Sequence, residues 1–164
     1  MASDGDTYLE IYLNDHLGGS TSGIELAKRI HKGSEGTELG ALMDRLVEEI
    51  AQDRDTLREF MDLVDADPDK LKVAGGWLTE KLGRLKLNGK LIGESPLSGM
   101  VELEALSLGL EGKRSLWVAL LESQAQRFGA ERLRELIVRA ERQRTALEVH
   151  RGRAAREAFG ASSA

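Results

Sequence analysis

The chain has 164 residues, of which 31% are charged, 4% are aromatic and two are prolines, and its formal net charge is −5 at pH 7. A chain of this length and composition corresponds to one domain with room for a hydrophobic core, and it favours long solvated helices over sheet. Because there is no cysteine, disulfides, thiolate catalysis and thiolate zinc sites are excluded, and the negative charge argues weakly against nucleic acid as the main partner.

The two ends of the chain, residues 1–6 and 160–164, are predicted to be disordered. The first six residues are polar and acidic, unlike a secretory signal. No apolar run in the sequence reaches the length of a membrane span. We therefore expect a cytoplasmic protein that does not contact a membrane.

A first helix is predicted from Thr7, where Thr7 and Glu10 form a capping box, to about Lys32, with Gly33 as the left-handed residue that ends it. Its middle, residues 18–23, contains only glycine, serine and threonine, which are poor helix formers. A loop is one interpretation of this segment. The preferred one is a helix whose small face lets another helix approach closely.

A second helix is predicted after a short connection that ends at Thr37, because apolar residues recur there at three- and four-residue steps. These residues are Leu39, Leu42, Leu46, Ile50, Leu57, Met61 and Val64. Asp67-Pro68 ends the helix. The crossover that follows, residues 67–95, is predicted to contain a short helix over residues 71–82 and a hairpin or extended loop at Asn88-Gly89.

The densest apolar stretch, residues 95–122, predicts a third helix at the centre of the fold, since its apolar residues lie nearly all round the helix. Ser95 is placed to cap this helix and Pro96 to occupy its first position. Gly129 is predicted to break it, and a fourth helix follows over residues 130–158.

The connection lengths predict the topology. Two connections of a few residues make two antiparallel hairpins, and a connection of about thirty residues joins them. The sequence therefore predicts an all-α fold, a ferritin-like four-helix bundle over residues 7–159 with a long crossover between the second and third helices. A faint internal repeat sets Gly23 against Gly112.

Four segments of the chain carry a family resemblance. They are Tyr12-Leu-Asn-Asp-His-Leu17, Gly23-Ile-Glu-Leu-Ala27, Gly83-Arg-Leu-Lys-Leu-Asn-Gly89, and Ser95-Pro-Leu with Val101-Glu-Leu-Glu-Ala105. In these segments the chain resembles an uncharacterised actinobacterial family thought to have a ferritin-like fold. More distantly, its layout is similar to stress-associated ferritin-like proteins of the YciE and YciF type. The resemblance implies the fold and no assigned chemistry.

Catalytic ferritin-like proteins carry a Glu on each of two helices and a Glu-x-x-His on each of the other two. No Glu-x-x-His occurs in this chain; Glu49 is followed three residues later by Gln52, and Glu141 by Arg144. The resemblance therefore implies the fold without the di-iron ligands, and we expect no stoichiometric di-iron centre. Buried acids are expected to be held by arginines instead, above all by Arg144, as a polar tie across the core.

The best candidate for a chemical site is a set of polar residues on the first three helices: Asp15, His16, Glu25, Glu49, Asp53, Glu104 and Glu111. Carboxylates can bind iron or manganese without histidine. The favoured interpretation is that each acid lies at a helix edge, solvated and paired with Arg or Lys. Glu104 and Glu111 are the acids most expected to be buried. His16, next to Asp15, is either a ligand or proton relay or, as favoured, a histidine packed beside glycines and hydrogen-bonded to a carboxylate.

The second helix is acidic and the fourth is rich in arginine. A nucleic-acid surface on the fourth helix is one interpretation. The favoured one is a solvated face with pairs within the helix, or an electrostatic match between the two helices.

These features predict a non-catalytic binding or structural module with no favoured cofactor, metal or catalytic residue. The alternative is a metal-binding ferritin-like oxidoreductase with a degenerate carboxylate site for iron or manganese. Trp117 is expected to anchor the crossover, with the alternative that a tryptophan lines a small-molecule pocket between helices. A homodimer is expected through apolar residues of the crossover. These are Trp77, Leu87, Leu91 and Ile92.

Overall fold

The computed structural model of the chain describes residues 3–68 and 95–160. Within these ranges the chain forms four helices and no strand: α1 (Asp4–Gly33), α2 (Glu38–Asp62), α3 (Pro96–Phe128) and α4 (Ala130–Phe159). The all-α prediction with four long helices is therefore confirmed. The predicted short helix and the hairpin at Asn88-Gly89 lie outside the described residues. None of the four helices combines the length and the apolar character that a membrane span requires.

Helix α1 begins earlier than predicted. Its cap is Ser3, whose hydroxyl accepts a hydrogen bond from the Asp6 amide at 3.2 Å, while the Asp6 carboxylate accepts one from the Ser3 amide at 3.3 Å. This reciprocal pair satisfies two amide groups that the first turn leaves without a helical partner. The predicted capping box of Thr7 and Glu10 is therefore wrong, because a better cap lies four residues upstream.

Helix α1 also ends differently from the prediction. Gly33 is still helical, and the left-handed residue of the connection is Gly36, with a φ of 77°. Thr37 then caps α2 by accepting a hydrogen bond from the Gly40 amide at 3.1 Å.

The small-residue segment of α1 is helical, so the loop interpretation is wrong. The hydroxyls of Ser20 and Thr21 donate to the Leu17 carbonyl, and the Ser22 hydroxyl donates to the Gly18 carbonyl. These side chains bond to the preceding turn of their own helix and do not compete for its amide groups.

The boundaries of α3 and α4 agree with the sequence prediction. The Ser95 hydroxyl accepts a hydrogen bond from the Ser98 amide at 3.2 Å, and Pro96 is the first helical residue. Gly129, with a φ of 86°, separates α3 from α4. Only glycine adopts that backbone conformation without steric cost, so the chain turns there.

The four helices pack as two hairpins that also contact each other, α1 with α3 and α2 with α4. At one end of the bundle, Arg29 near the end of α1 meets Glu102 near the start of α3 at 3.0 Å. At the other, Glu59 near the end of α2 meets Arg132 near the start of α4 at 2.5 Å. Contacting helices are therefore antiparallel, and the end of α2 and the start of α3 lie at opposite ends of the bundle.

The predicted electrostatic match between the acidic and the arginine-rich helix is confirmed. Besides the Glu59 pair, Arg142 of α4 bonds to Glu49 of α2 at 2.7 Å, and Arg153 bonds to Glu38 at 2.6 Å. Most of these side chains are exposed, so each pair contributes little stability, but together they favour one alignment of α2 against α4.

The hydrophobic core is divided into two clusters, one in each half of the bundle. The first contains Ile24, Leu26, Ala27, Ile30, Leu42, Met43, Leu46, Ile50, Leu103, Ala105, Leu106, Leu110 and Leu147. The second contains Leu13, Leu17, Leu57, Phe60, Met61, Ala66, Leu116, Trp117, Leu120, Phe128, Leu133, Leu136 and Ala140. In the second cluster the ring of Phe60 stacks on Phe128 and meets Trp117 edge to face, which gives this half a rigid aromatic centre.

Candidate functional site

A layer of polar residues lies between the two apolar clusters. Three of the helices contribute one buried residue each: Asp53 from α2, Lys113 from α3 and Gln143 from α4. Asp53 and Gln143 are each 2% exposed, and the Lys113 side chain is 12% exposed. Each residue sits in the apolar stripe of its helix, three or four residues from a core side chain on either side. We refer to these three residues as the polar layer.

The polar layer is held together by short hydrogen bonds. The Lys113 ammonium donates to the Asp53 carboxylate and to the Gln143 amide oxygen, each at 2.5 Å. The second Asp53 oxygen accepts from Arg139 at 3.0 Å, and the Gln143 amide nitrogen donates to Glu49 at 2.9 Å. The network therefore joins α2, α3 and α4 at the middle of the bundle.

Burial and charge act in opposite directions on Lys113. Burial lowers the pKa of the Lys113 ammonium, and the Asp53 carboxylate opposes that shift. A buried charge is stable only when it is paired and hydrogen-bonded. The Asp53 side chain, placed between Lys113 and Arg139, supplies that pairing.

Helix α1 contributes no large side chain at the level of the polar layer. Its residues there are Gly19 and Gly23, and the adjoining residues of α3 are Gly109 and Gly112. If a Cβ atom were added to any of these four glycines, no atom of the described residues would lie within 4 Å of it beyond its own helix. The expectation that the small residues allow close helix approach is therefore wrong, because at these positions they leave space between the helices.

The space is a pocket of about 220 Å³ between α1, α2 and α3. Its walls carry apolar side chains from both core clusters, the four glycines and a few polar residues. The lining residues are Asp15, His16, Gly19, Ser20, Gly23, Ile50, Asp53, Arg54, Leu57, Leu106, Leu108, Gly109, Leu110, Gly112, Lys113, Leu116 and Trp117. Asp15, Leu108 and Gly109 are exposed, which places the mouth of the pocket between α1 and α3.

Two lining residues have a buried N–H group without a hydrogen-bond partner among the described residues. They are Trp117, through Nε1, and Arg54, through Nε. Trp117 is 1% exposed, so bulk water does not reach its indole N–H group to replace the missing partner. Lys113 also lines the pocket, and its two hydrogen bonds use two of its three N–H groups. Residues that line the pocket therefore carry N–H groups without an acceptor among the described residues.

The structure brings together some of the residues singled out by sequence and separates others. Asp15 and His16 line the pocket, Asp53 belongs to the polar layer, and Glu49 bonds to that layer. Glu25 forms an exposed pair with Lys28. Among residues 3–68 and 95–160, no three His, Asp or Glu side chains lie close enough to hold a metal ion together.

Glu104 and Glu111 are not buried as expected. Both are half-exposed, and the Glu111 side chain is 42% exposed. Leu97 and Leu108 lie on the same face of α3 as these two glutamates, and they are 46% and 41% exposed. The buried face of α3 runs instead through Leu106, Leu110, Lys113 and Trp117. Because α3 is apolar nearly all round, its sequence did not reveal which face is inside.

The polar tie across the core exists, but Lys113 and Arg139 form it with Asp53, and Arg144 does not take part. Arg144 pairs with Glu111 at 3.5 Å, where both side chains are more than two-fifths exposed. Lys113 was missed because lysine is seldom buried. The signal that could have identified it is its place on the apolar stripe of α3. It lies seven residues after Leu106 and four residues before Trp117.

His16 packs beside the glycines, as predicted, but its partner is an aromatic ring. Tyr12 meets the His16 ring edge to face at 4.6 Å. Burial lowers the pKa of the His16 imidazole, and the charge of Asp15 opposes that shift without a hydrogen bond. Consecutive helical side chains do not face each other, so Asp15 does not supply the expected carboxylate hydrogen bond.

We predict that changing Lys113 to Met lowers the free energy of unfolding by about 3 kcal/mol, because Asp53 then loses one of its two cations while remaining buried. Urea denaturation measures this loss. The control is Arg144→Met, which breaks an exposed pair and should cost less than about 1 kcal/mol. Adding Asp53→Asn to Lys113→Met should recover part of the loss; equal stability of Lys113→Met and wild type would contradict the role assigned to the layer.

We predict that stability falls as the pH is lowered from about 7 to about 5.5, partly through His16. The pKa of His16 is lower in the folded chain than its ordinary 6.5. The unfolded chain therefore binds a proton first, and acid favours unfolding. Burial lowers the pKa of His150 as well, so His16→Gln should remove only part of the loss. Thermal unfolding at both pH values tests this, and an unchanged pH dependence in His16→Gln would refute it.

Comparisons of this chain with protein-family models, with curated proteins and with solved structures found no match. Any functional assignment therefore depends on the chemistry of the pocket and of the polar layer.

Proposed function

We propose that this protein is a non-catalytic binding module that holds a small, largely apolar molecule in the pocket between α1, α2 and α3. The observation that carries the proposal is the coincidence of open space with unpartnered buried donors at Trp117 and Arg54. Ligand pockets in helical bundles have this form: apolar walls with a few convergent polar groups.

The size and the walls of the pocket support this function. Its volume of about 220 Å³ exceeds the roughly 150 Å³ of an apolar cavity that accepts benzene. Ile50, Leu57, Leu106 and Leu116 line it and belong to the two core clusters. Because their neighbours in the core are fixed, the pocket is formed before a ligand arrives.

A ferritin-like arrangement of the bundle is part of the proposal. The end of α2 and the start of α3 lie at opposite ends of the bundle, so the connection between them has to return along its length. Two antiparallel hairpins joined in that way are the arrangement of ferritin-like bundles. The antiparallel contacts of α1 with α3 and of α2 with α4 support this topology.

The alternative, a metal-binding oxidoreductase, has less support from the residues present. Asp53, the buried acid of the layer, already accepts hydrogen bonds from Lys113 and Arg139. Glu111 pairs with Arg114 and Arg144. Cationic side chains at these carboxylates compete with a metal ion.

The proposed homodimer depends on crossover residues outside the described ranges, and it remains a prediction.

We predict that Gly19→Leu abolishes binding of small apolar molecules without lowering the thermal midpoint. The new side chain enters open space, and leucine is a better helix former than glycine. Binding of benzene, indole and hexanol, followed by calorimetry and NMR, tests this. The control is Gly99→Leu, an equally open helical position that does not line the pocket. Wild-type protein that binds neither these three compounds nor hexanoate, the charged counterpart of hexanol, would refute the proposed function.

A further inference from the structure

We propose that the ligand is an apolar molecule that carries a carboxylate, with the carboxylate bound at the Arg54 side of the pocket and the apolar part between the leucines. This inference rests on the proposed function and specifies its ligand class. It follows from a comparison of the donors and acceptors that line the pocket.

The unsatisfied buried polar atoms of the pocket lining are donors, whereas its buried carboxylate is already paired. Nε of Arg54 and Nε1 of Trp117 have no partner among the described residues, and Lys113 has one N–H group beyond those in its described bonds. The buried carboxylate, Asp53, is already bonded to Lys113 and Arg139. Asp15, the other lining acid, is exposed. Polar groups of the ligand should therefore be acceptors.

Of the two cations that line the pocket, Arg54 and Lys113, Arg54 is the more weakly paired. Its contact with the exposed Asp55 is 4.0 Å long, and its side chain is 24% exposed. A guanidinium matches a carboxylate in shape and charge, and a charged acceptor strengthens each hydrogen bond it receives. A ligand carboxylate would give Nε of Arg54 the hydrogen-bond partner that it lacks among the described residues.

The apolar walls determine the rest of the ligand. Leu57, Leu106 and Leu116 belong to the core and line the pocket. An acid with a short hydrocarbon chain or a single ring would fill this part, since buried apolar area stabilises the complex. A cationic ligand would bring its charge close to the charges of Arg54 and Lys113. It would also leave the unpaired N–H groups of Arg54 and Lys113 without an acceptor.

The test compares hexanoate with hexanol, which share one hydrocarbon chain and differ in the charged acceptor. Isothermal titration of the wild-type protein at neutral pH should give at least about tenfold tighter binding of hexanoate, since hydrogen bonds to a charged group are worth that much or more. Arg54→Met should reduce the preference for hexanoate severalfold and leave hexanol binding unchanged.

The matched control is Arg58→Met. Arg58 lies one turn later on α2 and also pairs with Asp55, but it does not line the pocket. An equal loss in both variants would show a general effect of surface charge and would overturn the inference. Equal or tighter binding of hexanol would overturn the ligand class and leave the proposed function intact. If hexanoate, hexanol, benzene and indole all fail to bind, both are wrong.

Discussion

The ion pair of Lys113 with Asp53 is the interaction on which the middle of the bundle depends. It joins α2 to α3 between the two apolar clusters, and Gln143 and Arg139 extend it to α4. Removing two charges from water is costly, so such a pair persists only in a geometry in which each charge is paired and hydrogen-bonded. The pair is therefore poor evidence for high stability. Its effect is to fix how three helices are aligned at one level, because a shift of any of them would leave a buried charge without its partner.

Helix α1 is the one helix of the four that does not join this network. Opposite the polar layer it presents Gly19 and Gly23, while α3 presents Gly109 and Gly112 beside Lys113. The network holds α2, α3 and α4 in place, and the apolar clusters above and below hold α1. Open space remains where the glycines meet. A well-packed core usually leaves few voids. This void adjoins residues whose buried N–H groups lack partners among the described residues, and this is why we propose a ligand there.

Much of the fold could be predicted from the sequence because its signals are local. The cap at Ser95, the break at Gly129 and the apolar stripe of α2 each depend on a few neighbouring residues, and each was predicted correctly. The face of α3 could not be predicted, since a helix that is apolar nearly all round gives no preferred direction. For the same reason Glu104 and Glu111 were placed inside, and Lys113 was overlooked.

The pocket was harder to predict than the fold. Small residues on a helix are compatible with close packing and with open space, and only the distance between helices distinguishes the two. The faint repeat that sets Gly23 against Gly112 pairs two residues that both line the pocket. The sequence also left open that a tryptophan lines a pocket between helices, and Trp117 does so. Neither signal could show that the Trp117 indole lacks a partner.

The most direct test of this account is the indole N–H signal of Trp117 in the proton–nitrogen NMR spectrum, assigned with Trp117→Phe. If the pocket takes an apolar carboxylate, titration with hexanoate should shift this signal, because Trp117 lines the pocket. A Trp117 signal that stays in place at saturating hexanoate, or that Gly19→Leu leaves equally responsive, would contradict the account.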